Sequence, residues 1–387
     1  MLLKDTDMAF APSAHLPSGP RKAHPRPRRP VMRMSRSVRR SRAIAAVGTV
    51  LSALLVGACG GAANGAADGS VTLTFATYGG PYEAAQKQAW IDGFQAANPG
   101  IKVLVTGPVD YGKIKAMTEA GNVGWDVVDV NGDYGMESQS KYLTPIDCAR
   151  VTACATPLRG LTNTRWRIAE NTSALTLAYN TDKVSGTPED WADFFDTAKF
   201  PGKRALPKSV GSGALEAALL ADGVPADQLY PLDVDRALKK LDTIKKDIVW
   251  WETGTQSEQL VSSGEVVMGG IWSPRAYNLA VTSKKPVAIQ WNQQMVFGSY
   301  LVVPKGGRHT AEAMKLIDWI TSPKRNGAIS AYYPVGPGTA DAKAAADAAM
   351  VSWLPSSHLQ GSAAQNDAWW DKNLDEVGDG FQTWLQS

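Results

Sequence analysis

Residues 71–80 read Val-Thr-Leu-Thr-Phe-Ala-Thr-Tyr-Gly-Gly, and the reading of this stretch decides the fold class. Its first six residues alternate as a strand does, and Thr77-Tyr78-Gly79-Gly80-Pro81 makes a turn. A helix follows with Trp90, Phe94 and Ala97 on one face, and Asn98-Pro99-Gly100 stops it. Ile101, Val103 and Val105 mark a second strand, and Ile114 and Met117 lie on a short helix. Trp125-Asp-Val-Val-Asp-Val130 is a third strand that runs into Asn131-Gly132-Asp133-Tyr134. Strand and helix alternate at α/β spacing, which predicts a mainly parallel sheet flanked by helices, with ligands at the carboxyl ends of the strands.

The alternation continues downstream. Ala174 to Tyr179 is strand-like, Pro188 to Thr197 helical and Lys203 to Pro207 a short strand. Ser209-Val-Gly-Ser-Gly213 opens a helix from Ala214 to Ala221, and Leu232 to Lys246 is amphipathic with Leu238, Leu241 and Ile244 inward. Val266 to Trp272 reads as a buried strand. Thr310 is expected to cap a helix that runs through Ile320 and ends at Ser322-Pro323. The last forty residues are Ala- and Trp-rich and read as helical, packed across one lobe.

Upstream, Arg33, Arg36, Arg39, Arg40 and Arg42 precede an uncharged stretch from Ala43 to Val56, and Gly57-Ala58 then lead to Cys59. This is the layout of a secretory signal, too short in its apolar run to span a bilayer. Met32 and Met34 are more ordinary starts for such a signal. Val-Gly-Ala-Cys resembles the lipobox of bacterial lipoproteins, which implies a lipid-modified Cys59; the alternative is an ordinary buried cysteine. The expected location is extracytoplasmic, on the cell surface or in a periplasm, held by a lipid anchor. Residues 59–70 are small and polar and read as a flexible tether.

The leader also distorts the charge. The whole chain is +3, but residues 1–58 hold eleven Lys/Arg and two Asp, leaving 29 basic and 35 acidic side chains and a net of −6. Nucleic-acid binding loses its electrostatic support. The 329 residues from Cys59 onward exceed the size at which single cores split, so two domains are expected. Cys148 and Cys154 are spaced for a local loop disulfide in an oxidising compartment, or are two free thiols. No G-x-S-x-G elbow, P-loop or histidine pair at metal spacing occurs, and only His309 and His358 follow the leader, so neither catalysis, a metal nor a cofactor is expected.

The order and spacing of several short stretches carry a resemblance over residues 71–345. They are Thr77-Tyr-Gly-Gly80, Trp125 to Asp129, Trp191-Ala-Asp-Phe-Phe195, Gly264 to Trp272, Leu301-Val-Val-Pro-Lys305 and Ala313 to Ile320. Together they resemble the extracellular solute-binding proteins of ABC importers, specifically the spermidine/putrescine-type group. The resemblance implies a two-lobed periplasmic-binding-protein-like fold of type II. Lobe 1 would be 71–173 plus 272–303, and lobe 2 would be 174–271 plus 304–387. It further implies a monomer that closes by a hinge on a small solute and partners the transmembrane subunits of an ABC permease. An iron binder of related architecture is a rival, because Tyr332-Tyr333 is similar to paired tyrosinate ligands.

Such a cleft needs aromatic walls and a few convergent polar groups. The candidates are Thr77, Tyr78, Asn131, Asp133, Trp251, Thr255, Trp272, Arg275, Ser299 and Tyr300, with Trp250 and Gln256 as further possibilities. Polyamine binders of this group place carboxylates shortly after the strand-ending Trp and before the Leu-Val-Val-Pro strand, where this chain has Arg275 and Ser299. An Arg repels a polyamine but holds a carboxylate with a planar fork. The favoured ligand is therefore an amino-carboxylate such as a γ-amino acid, its carboxylate on Arg275 and its amino group near Asp133 or Asp129. A true polyamine, with Arg275 paired to a protein acid such as Asp133, is the alternative.

Overall fold

The computed structural model describes residues 70–387. The expected leader 1–58, the expected lipidation site Cys59 and all but the last residue of the expected tether lie outside them. In chain order the strands are β1 (Val71–Ala76), β2 (Ile101–Thr106), β3 (Val127–Asn131), β4 (Arg167–Asn180), β5 (Arg204–Pro207), β6 (Ile248–Trp251), β7 (Met268–Trp272), β8 (Val287–Val302), β9 (Gly336–Pro337) and β10 (Ala363–Ala364). The helices are α1 (Gly80–Gln86), α2 (Asp92–Ala97), α3 (Tyr111–Glu119), α4 (Trp191–Phe195), α5 (Ala214–Ala221), α6 (Val234–Asp242), α7 (Gly254–Ser262), α8 (Ser273–Tyr277), α9 (Thr310–Thr321), α10 (Ala348–Val351) and α11 (Asp367–Gln386). A π-helical turn at Lys87–Ile91 joins α1 to α2, so the single helix expected after Gly80 is real but locally widened.

One sheet runs through the molecule in the order β2-β1-β3-β8-β4-β7-β5-β6. Its two flanks are parallel: β1 with β2 and β3, and β5 with β6 and β7. The centre is antiparallel, because β4 and β8 pair along their lengths from Arg167↔Val302 to Asn180↔Val287. One end of this long pair meets β3, the other meets β7. The pairing slips twice, between Ala169 and Asn171 and between Leu175 and Leu177, and β9 pairs with β4 beside the first slip.

Three apolar clusters pack on this spine, a smaller one of Ile114, Trp125, Val128 and Val302 and two larger cores. Leu73, Phe75, Trp90, Phe94 and Val127 pack with Ile317 and Ile320 of α9. Trp191, Phe194, Leu215, Leu241 and Ile271 pack with Ala276, Leu279, Trp370 and Phe381. The chain therefore crosses between cores more often than the resemblance implied. Residues 276–279, expected in the first lobe, pack in the second core, and α9, expected in the second, packs in the first. The reason is burial: the Ala313, Leu316, Ile317 and Ile320 face of α9 fits the apolar side of β1 and the first helix.

Local chemistry fixes the element starts. Asp110, Asp233 and Asn366 accept the third backbone N–H of α3, α6 and α11, and Thr253 with Gln256 forms a capping box on α7. Thr310 does not cap α9 as expected. It is the first helical residue, and its hydroxyl donates back to the Gly307 carbonyl at 3.3 Å. Cys148 and Cys154 are joined, with Cα atoms 5.7 Å apart.

Gly338 sits where β9 meets the spine, and a Cβ there would lie 2.6 Å from the Glu170 carbonyl carbon and 2.8 Å from the Asn171 nitrogen. Gly338→Ala is expected to lower unfolding free energy by about 1–3 kcal/mol in urea melts, because backbone cannot step aside as a side chain can. Gly380, inside α11, has open space around its would-be Cβ. Gly380→Ala is expected to raise stability by about 0.5–1 kcal/mol, which gives the comparison a sign.

Candidate functional site

The carboxyl ends of β1, β3 and β7 converge on a cleft beside the β4/β8 pair, and two adjoining hollows open there. The first, of about 200 Å³, is bordered by Asn131 and Asp133 after β3, Ser173 of β4, Trp272 of β7 and Ser299 of β8. The second, of about 480 Å³, is bordered by Tyr78 before α1, Tyr82 in its first turn, Arg275 of α8, Glu258 of α7 and the Tyr332-Tyr333 turn. They adjoin at the β7–α8 corner, where Trp272 faces one and Pro274 and Arg275 face the other.

Two hydroxyls also link the hollows. Tyr111 donates to Asp133 at 3.1 Å, and its oxygen accepts the Asn131 N–H at 3.0 Å. With its one proton committed to Asp133, Tyr111 accepts from Tyr78 at 3.2 Å. Water reaches Asp133, yet the protein around it raises its carboxyl above the usual range, with the Tyr111 bond opposing. Arg275 donates to Glu258 at 3.3 Å and keeps 40% of its side chain exposed. Its partner is therefore neither Asp133 nor a buried acid, and Arg275 borders the second hollow while paired.

The structure sorts the expected site residues. Asn131, Asp133, Trp272 and Ser299 share the first hollow, and Tyr78 and Arg275 the second. Thr77 is fully buried, donating to Gln86 at 2.6 Å. Tyr300 is buried as well, its hydroxyl on Asp367 at 3.0 Å and its ring under the Arg167 guanidinium. Trp251 backs the wall: its indole N–H donates to the Gly270 carbonyl at 3.0 Å and its ring packs edge-on to Trp272. Thr255 is exposed on α7 and borders neither hollow. Trp250 turns to a separate surface hollow with Gln259 and Leu260, and Gln256 is taken up by the capping box. Burial raises the Tyr333 phenol, away from the tyrosinate form that ferric ligation uses, and its ring packs on Tyr82. Among the described residues no cluster of three His, Cys, Asp or Glu side chains could hold a metal.

Three groups escaped sequence reasoning. Gln365, Trp370 and Leu374, at the start of α11, border the first hollow. Arg167, fully buried, props the Asn131–Tyr134 loop by donating to the Gly132 and Tyr134 carbonyls at 2.7 and 2.9 Å, and it pairs with Asp367. Behind the cleft, Gln86 donates to both Asp129 and Glu170, at 2.8 and 2.7 Å. The only sequence signal for these was a charge inside an apolar strand: Arg167 and Glu170 interrupt β4, and nothing local names their partners.

A two-flanked sheet with a long crossing pair and a polar, aromatic cleft at the strand ends defines a protein that binds a small solute between two halves. The chain belongs to the bacterial extracellular solute-binding protein family, whose profile matches residues 89–353, and it is thereby the substrate-binding component of an ABC importer. A Pseudomonas aeruginosa protein described as gamma-aminobutyric acid-binding is 33% identical over 325 residues, 81% of this chain and 91% of that one. A solved GABA receptor structure is 40% identical with a TM-score of 0.74, covering 81% of this chain and 97% of the other. An Agrobacterium binding protein solved with agropinic acid is 31% identical with a TM-score of 0.67, covering 82% and 99%. Proteins of this family bind small molecules and work with permease subunits. Among the described residues no helix is long and apolar enough to cross a membrane.

Proposed function

We propose that the protein captures a small ω-amino acid, with γ-aminobutyrate the leading candidate, and presents it to an ABC permease. The observation that carries this reading is the pair of charges on the cleft: the cation Arg275, which shares its hollow with Glu258 at 3.3 Å, and the carboxylate Asp133, both reachable by solvent, border adjoining hollows. A zwitterion satisfies both, the carboxylate on the guanidinium fork and the ammonium on Asp133, with Tyr78 and Trp272 against its methylenes. A diamine leaves Arg275 facing a cation. The relatives that bind GABA support the same choice.

Calorimetry against γ-aminobutyrate, putrescine and spermidine tests it. The expected result is γ-aminobutyrate binding that weakens about 30-fold or more in Arg275→Ala, since truncating one partner of a desolvated charge pair strands the other. Tight putrescine binding that Arg275→Ala leaves untouched overturns the reading in favour of a polyamine binder.

The reading also includes the membrane anchor at Cys59 and hinge closure of two lobes. Metabolic labelling with a radiolabelled fatty acid is expected to mark the wild type and to miss Cys59→Ala; label retained in the variant removes the anchor.

A further inference from the structure

We infer that the start of α11 is a fixed back wall that sets how long a ligand the cleft accepts. The inference rests on the ω-amino acid reading for the ligand's class, but its own content is length. Gln365, Trp370 and Leu374 border the first hollow, which at about 200 Å³ is smaller than the 300–1,000 Å³ usual for ligand sites.

This wall is fastened on both flanks of the first hollow. Asp367 pairs with Arg167, and both side chains are at most 6% exposed; Tyr300 of β8 donates to the same carboxylate at 3.0 Å. On the other flank, the Trp370 indole N–H donates to Glu216 of α5 at 2.9 Å, in the second core. Gln365 donates to the Gly211 carbonyl at 2.7 Å. A wall tied to the spine and to the second core cannot retreat when a longer ligand enters. An added methylene must then displace packed atoms or leave one charged end short of its partner.

The geometry supplies two substitutions of opposite sign. Leu374 is half-buried, so Leu374→Ala opens the wall with little loss of core. Gly211 has ordinary backbone angles of φ −78° and ψ 18°. A Cβ on it would stand 3.5 Å from Leu374 and 4.0 Å from Trp370, in normal contact, so Gly211→Ala adds a methyl at the same place without strain.

The experiment is calorimetry of both variants against β-alanine, γ-aminobutyrate, 5-aminovalerate and 6-aminohexanoate, with the α,ω-diamines of three to six carbons as a parallel series. Wild type is expected to prefer four carbons over five by about tenfold or more, the usual worth of one methylene in a fitted pocket. Leu374→Ala should shrink that preference to within about threefold, and Gly211→Ala should move the optimum to three carbons. If only diamines bind, the ω-amino acid reading fails and the wall is read from their length profile instead. An unchanged length profile in both variants, with thermal unfolding showing both folded, overturns the wall in either series.

Discussion

Arg167→Met is expected to cost about 3–5 kcal/mol in urea unfolding at pH 7, because removing one partner of a buried pair strands the other. The guanidinium has no solvent exposure, and it serves Asp367, two carbonyls of the Gly132–Tyr134 loop and the face of Tyr300, whose ring centroid is 3.6 Å away. Asp367 is the residue left behind. Burial already pushes its carboxyl up, and Arg167 is what opposes that. Adding Asp367→Asn should therefore recover part of the loss. A single variant within about 1 kcal/mol of wild type contradicts the role assigned to this pair.

The second large effect is a dependence on pH from Asp129 and Glu170. Both are fully buried, and no Lys, Arg or His is among their hydrogen-bond partners; Gln86 donates to both instead. Burial raises the Asp129 carboxyl to about 7 against the opposing bond from Gln86. Burial and then the Asp129 charge raise Glu170. The folded state therefore holds a proton that an unfolded carboxyl, with its value near 4, gives up. The contribution of this pair to stability is fully present at low pH and is lost as pH rises from about 5 through 7, by about 1.4 kcal/mol per unit for one retained proton. Glu170→Gln replaces the protonated acid with a neutral amide that can still accept from Gln86. It should flatten the curve and stabilise the protein at pH 8. Urea midpoints from pH 5 to 8, wild type against variant, check this; parallel curves refute it.

Most strands of the parallel flanks were legible because they are short, apolar and punctuated: Val71–Ala76, Ile101–Thr106 and Arg204–Pro207 appear where periodicity puts them, while the edge strand Ile248–Trp251 went unread. The spine was not legible. β8 passes through Gln290-Trp-Asn-Gln-Gln294, a polar run at the second slip of the β4 pairing, where Gln290 alone keeps a β4 partner. Gln290, Asn292 and Gln293 bond the 188–191 segment, so the run's course comes from tertiary contacts rather than from any local preference. Of the expected cleft residues, Asn131, Asp133, Trp272, Ser299, Tyr78 and Arg275 border the hollows, because strand ends line the cleft in sheets of this kind. Thr77 and Tyr300 failed for one physical reason. Tyr300 on β8 and Thr77, the residue after β1, both turn inward, where a polar group is satisfied by buried partners. The α11 wall was invisible because its three members approach the cleft only through long-range packing.

The pairing of β4 with β8 has a bearing on when this chain can fold. The sheet of each half is completed by strands that also serve the other half, and Arg167 finds its partner only when Val302 is present. The first core further waits for Ile317, and the second for Trp370 and Phe381 near the carboxyl terminus. A nascent chain from the ribosome thus has no early stopping point at which one half is finished, and contacts of such long range close slowly. For a protein of an extracellular family, that delay keeps the polypeptide a threadable, unfolded strand until nearly all of it has been made.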